Sequence, residues 1–502
     1  MEADRRIRRT AVVGGGFAGW LAAIALTRKL AGQVSIHVVD SPESGTAGLA
    51  ETTIPPMLEL LRFLGIDQND FIDKTQSTYC LAAKLQDWGG EAQSFWRPFG
   101  AFGALIERRP FYHFWHKAKA AGMQPRVESF SLEIAMSLGN RFIFPTNTLG
   151  VAQTLRYALN FDTALATRYL RTMAERAGVI RLEKKLVNVT RREDGFVDEL
   201  EFEDGGKLRA DLFIDNTGAR AQLIGETLGV PYESWQQWLP ADRLLSAPAP
   251  LEDSRPPYVR IGARAAGWTW RAPLQQMLSV GHVFSSAQQS DDAALAELRA
   301  AAGADFIAEP RRIEFTPGRR RATWEKNVVA LGAAAGFLEP LVQVDAHLVT
   351  NTLFNLLDHF PDRQFDPAVI ASFNASIATE LERIRDYAIL HYRLSPRTEP
   401  FWAQAAAAPP PDSLAHRIDL YRASGRIIVG RDELFTDLDW FWVFEGLGVV
   451  PRDYDPLVDA LDFEQVKRAM VAISQKISAD VNSSPTHDSF FAVANSRLTR
   501  RA

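Results

Sequence analysis

The stretch Ile7 to Val13, closing on the apolar Ala11-Val12-Val13, predicts a buried strand followed by a glycine turn. Trp20 to Leu30 then reads as a helix, and Val34 to Val39 as a second buried strand ending at Asp40. Together they make a βαβ unit of about 30 residues. Downstream, "TTIPPMLELLRFLG" predicts a helix opened by proline. Asp162 to Gly178 keeps the 3.6-residue period of another helix. Between Val187 and Phe213 apolar and polar positions alternate, with turns at Glu193-Asp194-Gly195 and Asp204-Gly205-Gly206, the pattern of an antiparallel meander. A further strand leads into Asp215-Asn216-Thr217-Gly218, and Val328 to Leu331 predicts one more, followed by Gly332 and Gly336. From around residue 370 the pattern is mostly helical, interrupted by the proline-rich loop Ala405 to Ser413.

The chain has 502 residues, enough for two or three domains. Its 56 basic and 61 acidic residues leave a net charge of -5, so no positive field calls for nucleic acid. Cys80 is alone and cannot form an internal disulfide, which fits a reducing cytosol. No apolar stretch reaches the roughly 18 residues of a membrane span. The 12 Trp and 30 Phe cluster at 88–116, 235–270 and 435–444; such clusters usually build core and also suit walls for a flat ligand.

Gly14-Gly15-Gly16-Phe17-Ala18-Gly19 sits between the first strand and the first helix. After the basic leader the same stretch could pass for a secretion signal, but four glycines interrupt the apolar run and Thr27-Arg28-Lys29 follows where a cleavage site belongs. In its βαβ context G-x-G-x-x-G is a dinucleotide cradle: the first glycine allows the turn, the second admits pyrophosphate to the backbone, and the third lets the helix lie on the sheet. Asp40 is placed to accept from ribose hydroxyls. The wide sequence gap between this unit and Asp215-Asn216-Thr217-Gly218 implies insertions, which favour FAD over a simple NAD enzyme.

These residues also carry a family resemblance. "VVGGGFAGWLAA", "ETTIPPMLELLRFLGI", "FDTALATRYLRTMAERAGV", "FIDNTGARAQLIGETLGVP", "GWTWRAP", "FTPGRRRATWEKNVVALGAAAGFLEPL" and "SPTHDSFF" occur in the order seen in flavin-dependent tryptophan halogenases, and Trp268-Thr269-Trp270-Arg271-Ala272-Pro273 resembles that family's W-x-W-x-I-P. The resemblance implies an α/β fold: an FAD-binding, Rossmann-type domain like that of flavin monooxygenases, with an inserted β-sheet substrate region and a mostly helical C-terminal region. Residues 1–375 would form the FAD domain, its nucleotide part split over about 7–60, 160–225 and 310–350, and 376–502 would cover the substrate.

The implied reaction spends reduced FAD and oxygen to convert chloride or bromide into hypohalous acid, which a lysine directs onto an electron-rich aromatic carbon. By resemblance to a K-F-x-x-W segment, Lys84 of "CLAAKLQDW" takes the lysine position, in an apolar stretch that would desolvate it. Gly14, Gly15, Gly16, Phe17, Ala18, Gly19, Asp40, Ala50, Glu51, Thr52, Asp215, Asn216, Thr217, Gly218, Gly332, Gly336, Phe337 and Leu338 would hold or border FAD. Trp268, Trp270, Pro273, Gln343, Val344 and Asp345 would form the flavin screen and the halide loop; the two indoles, two residues apart, share one face of a strand. FADH2 would come from a separate NAD(P)H-dependent flavin reductase, since no second dinucleotide motif of equal quality is present. The substrate would be a small indole-like aromatic, the setting cytoplasmic, and a homodimer is compatible.

Against the family's E-P-L-E-S-T-G this chain continues Glu339-Pro340-Leu341 with Val342-Gln343-Val344-Asp345, four departures. Val342 stands where a second catalytic glutamate belongs, and Val344 and Asp345 replace the Thr-Gly whose amides hold halide. An ionised Asp345 facing inward would repel chloride. Ala50 and Ala272 are smaller departures, from Gly and Ile. The altered loop leaves two alternatives: a halide-independent monooxygenase, and a flavin-binding homologue without chemistry. His113 and His116 share a helical face but lack a third ligand, so no metal is expected. The cluster Arg319 to Arg321 reads as a solvated strand edge.

Overall fold

A computed structural model describes residues 5–30, 32–41, 50–145, 151–431 and 433–491. The leader before Arg5 and the start of "GLAETTIPP" fall outside them. The chain forms two compact units, one of residues 1–76, 161–236 and 313–382, the other of 77–160, 237–312 and 383–502.

The first unit is a doubly wound sheet. Strands lie in the order Trp324–Glu325, Val328–Ala330, Leu212–Asp215, Arg9–Val13, Ser35–Val39, Ile180–Leu182, and all but the first pair are parallel. Such strands are covered on both faces and read as continuous apolar runs, which is why Ala11 to Val13 and Leu212 to Ile214 are buried. The helix after the glycine turn begins earlier than its apolar pattern suggested, at Phe17 rather than Trp20, and runs to Leu30. The turn itself supplies its first residues. Helix Thr163–Arg176 follows a cap in which Asp162 accepts from the Leu165 amide. The expected meander is present as Leu186–Arg191, Val197–Phe202 and Lys207–Arg209.

In the second unit, strands Arg243–Ala249, Leu278–Phe284, Gly267–Pro273, Tyr258–Arg264, Ala82–Gln86 and Ser94–Pro98 lie side by side in that order. Helix Asp291–Ala302 packs Ala294, Leu298 and Ala302 on Leu245, Ala247, Leu278, Val280 and Phe284 at one end of this sheet. The C-terminal region is helical as expected, from Pro400–Ala407 through Phe463–Ser483. The aromatic run on helix Asp437–Gly446 is core: Trp440 to Phe444 are all buried, and Phe441 stacks on Phe102 with centroids 4.9 Å apart.

Candidate active site

The parallel strands of the first unit end together, and three of them hand a loop to one cavity of about 380 Å³. Gly16, Phe17 and Ala18 follow the first strand, Asn216 and Gly218 follow Leu212–Asp215, and Gly332 follows Val328–Ala330. Ligands of open α/β sheets bind at such carboxyl ends. The turn fits a dinucleotide on steric grounds. A Cβ on Gly14, whose φ is +116°, would lie 2.1 Å from the Asn216 carbonyl oxygen, and one on Gly19 would lie 1.9 Å from that of Gly14. At Gly16 the nearest atom to an added Cβ is Asn216 Nδ2, 3.7 Å away, so this glycine alone faces open space. Asn216 Nδ2 also donates to the Gly14 carbonyl at 3.1 Å, tying the two loops together.

Glu51, Gly336, Phe337 and Asp345 line the same cavity, whereas Gly14, Gly15, Gly19, Ala50, Thr52, Thr217, Leu338, Gln343 and Val344 stand outside its lining. Two expected cofactor acids are already engaged. Asp40 is buried and accepts from Arg181 Nε at 2.9 Å. Asp215 is fully buried and accepts from the Thr217 amide and hydroxyl through one oxygen and from the Leu223 and Ile224 amides through the other. Its carboxylate ties down the loop that presents Asn216.

At the other end of the cavity Glu51 accepts from the Ala346 amide at 2.7 Å, at the start of helix Asp345–Asp358. Burial raises the pKa of Glu51, and the nearby charge of Asp345 raises it further, while the Ala346 amide pulls it down. Burial raises Asp345 as well. The two carboxyls therefore form a pair that favours holding a proton, in the segment expected to receive halide. Beside Leu348, Val349 and Leu381, the wall is lined by Asn351, Thr352, Ile377 and Glu380. The sequence reading missed these four, although Leu348, Val349 and Thr352 recur on one face of that helix at the helical period.

In the second unit Trp268 and Trp270 do share one face of Gly267–Pro273, and their ring centroids are 6.0 Å apart. Trp268 is buried in an aromatic cluster with Trp88 and Tyr392, and its Nε1 donates to the Tyr392 hydroxyl at 2.9 Å. Trp270 lies over Gly281 of the neighbouring strand, where an added Cβ would meet its ring at 1.9 Å. The Pro273 carbonyl accepts from Thr78 Oγ1 at 2.6 Å, which fixes the end of the strand.

Lys84 is placed otherwise than expected. In the sheet register Lys84 pairs with Arg260 and Arg260 with Arg271, while Leu85 pairs with Ile261 and Ile261 with Trp270. Side chains alternate between faces along a strand, so Lys84 stands on the face opposite the indoles. Its surroundings are also polar rather than apolar: it lines a cavity with Arg260, Arg264 and Arg271, its ammonium 5.3 Å from the Trp96 ring centre. Within its own sheet it shares no space with Trp268 and Trp270.

Other candidates are occupied structurally. His113 and His116 are buried on helix Phe111–Ala120, and burial lowers their pKa values to about 4 and about 3. Among the described residues no group of three metal-ligating side chains occurs. Burial pushes the Cys80 thiol up to about 12. Arg319 pairs with Glu382 at 2.7 Å on the strand Gly318–Arg320. No helix among the described residues is long and apolar enough to cross a membrane.

Residues 9–463 match the tryptophan halogenase family. Tryptophan 7-halogenase RebH of Lentzea aerocolonigenes is 30% identical over 90% of this chain and 91% of its own. BrvH, a flavin-dependent halogenase from Brevundimonas sp. BAL3, superposes with a TM-score of 0.93 at 37% identity, covering 97% of this chain and 99% of that one. Xcc4156, a flavin-dependent halogenase from Xanthomonas campestris, gives the same score and identity over 97% and 98%.

Proposed function

The chain belongs to the tryptophan halogenase family, and on that premise we propose that it is an FAD-dependent halogenase of an indole or another electron-rich aromatic. The observation that carries this reading is the cavity at the strand ends, open beside Gly16 and closed by backbone at Gly14 and Gly19. When bound, reduced FAD with oxygen supplies the oxidising power that converts halide to hypohalous acid.

Around it the residues divide the work. Amides at the start of helix Phe17–Leu30 would hold the pyrophosphate, and Asn216 and Gly332 line the cavity beside them. In the second unit Trp268 and Trp270 present a shared apolar indole face on their strand. Asp345 and Glu51 set the charge of the cavity wall: with a proton on the pair, halide meets less repulsion than with both ionised. Val342 has no proton to give or take, so the aromatic proton leaves without help from that position. A flavin reductase working in the cytoplasm supplies FADH2.

The test is turnover with NADH, FAD, oxygen, bromide and an indole, with and without added flavin reductase. Brominated indole that needs both reductase and bromide supports the reading. Oxygenated product formed without bromide overturns it.

A further inference from the structure

One face of the second unit's sheet changes character halfway across. Where Arg243–Ala249 and Leu278–Phe284 lie, helix Asp291–Ala302 covers it with alanine and leucine. The next three strands on the same face carry Arg271, Arg260 and Lys84 in one cross-strand row, with Thr269 one step along and Arg264 two. These side chains surround a cavity of about 410 Å³ that Ala300 and Ala301 of the helix close on one side.

Like charges directly opposite on neighbouring strands are destabilising. One carboxylate answers this row: Glu252 meets Arg271 at 2.6 Å and Arg260 at 3.2 Å. Among the described residues Lys84 has no carboxylate partner, and Arg264 Nη1 is spent on the Ala263 carbonyl at 2.8 Å. Arg271 Nε is enclosed with no hydrogen-bond acceptor. Burial lowers the pKa of the Arg271 guanidinium, with Glu252 opposing that shift and Arg260 adding to it. Four cations against one anion, with an enclosed donor left over, is an arrangement completed by a ligand with several negative oxygens. Guanidinium forks match tetrahedral oxyanions bidentately.

We propose that this cavity is a second binding site of the protein, taking the phosphate group of a phosphorylated small molecule. It is built without residues of the nucleotide cavity, so it stands or falls independently of the halogenase reading. The guanidinium groups of Arg260 and Arg271 hold phosphate oxygens, and Lys84 and Arg264 neutralise the remaining charge.

The probe is inorganic pyrophosphate, titrated calorimetrically into the full chain saturated with FAD, so that the glycine turn is filled. Saturable binding that weakens steeply with salt is expected, and Arg264→Gln should weaken it at least tenfold while FAD affinity stays unchanged. Lys84→Gln should weaken it comparably and, by relieving the unliganded row, leave the melting temperature without pyrophosphate equal to or above that of the wild type. A merely structural lysine would give a lower one. Absence of saturable binding, or binding that neither substitution alters, overturns the proposal.

Discussion

The glycine turn of the first unit and the indole strand of the second each make room for a flat or charged group against backbone, and they do so by opposite means. In the turn the space is made by omission: Gly14 abuts the Asn216 carbonyl oxygen and Gly19 that of Gly14, and the Gly14 oxygen is held by the Asn216 side-chain amide. In the strand the space is made on the neighbour, where Gly281 lets the Trp270 ring lie flat. An indole can move to another rotamer, whereas a backbone carbonyl moves only with its chain. The turn should therefore tolerate nothing, and the strand should yield at moderate cost.

The largest effect is expected at the turn. Gly19→Val should cost about 3 kcal/mol in denaturant unfolding and remove measurable FAD binding in calorimetry. Unchanged FAD affinity would mean the turn is not the cradle. Gly281→Ala comes next, at about 1–3 kcal/mol, with altered Trp fluorescence from the displaced Trp270 and FAD affinity retained; an unshifted spectrum would show that the indole does not depend on the neighbouring glycine.

Asp345→Asn probes the wall of the first cavity through pH. Glu51 and Asp345 hold their protons more tightly folded than unfolded. Their contribution to stability is thus full below the unfolded carboxyl value of about 4 and is lost as pH rises through the raised folded values. The melting temperature of the wild type should fall across that window and its KM for bromide should rise, and Asp345→Asn should flatten both slopes. Equal slopes in wild type and variant would show that the pair carries no shared proton. The smallest effect belongs to Trp268→Phe, which removes the hydrogen bond to Tyr392 and should cost about 1 kcal/mol in unfolding free energy.

The nucleotide half was largely legible in the sequence because its chemistry is local. Glycines at fixed spacing after an apolar run specify strand, turn and helix together, and the loops at Asn216 and Gly332 follow strands that announce themselves by unbroken burial. Asp215 was legible as part of the loop but not as an acid already spent on amides, because its partners Leu223 and Ile224 lie beyond the motif. Lys84 shows the limit more sharply. A motif fixes which residue type stands in a strand, while a shift of one position decides the face it occupies. That face was readable only once the register with Arg260 and Trp270 was known. The cationic row left a faint trace, two arginines four positions apart in "YVRIGAR", that has no meaning until the strands are paired.

The central claim, that this chain places halogen on an aromatic ring using reduced FAD, is tested most directly in a single turnover. Protein loaded anaerobically with FADH2 is mixed with oxygen, bromide and an indole, and the products are weighed by mass spectrometry. The account predicts monobrominated indole that scales with enzyme and disappears when bromide is omitted. Hydroxylated indole in equal amount with and without bromide would contradict it.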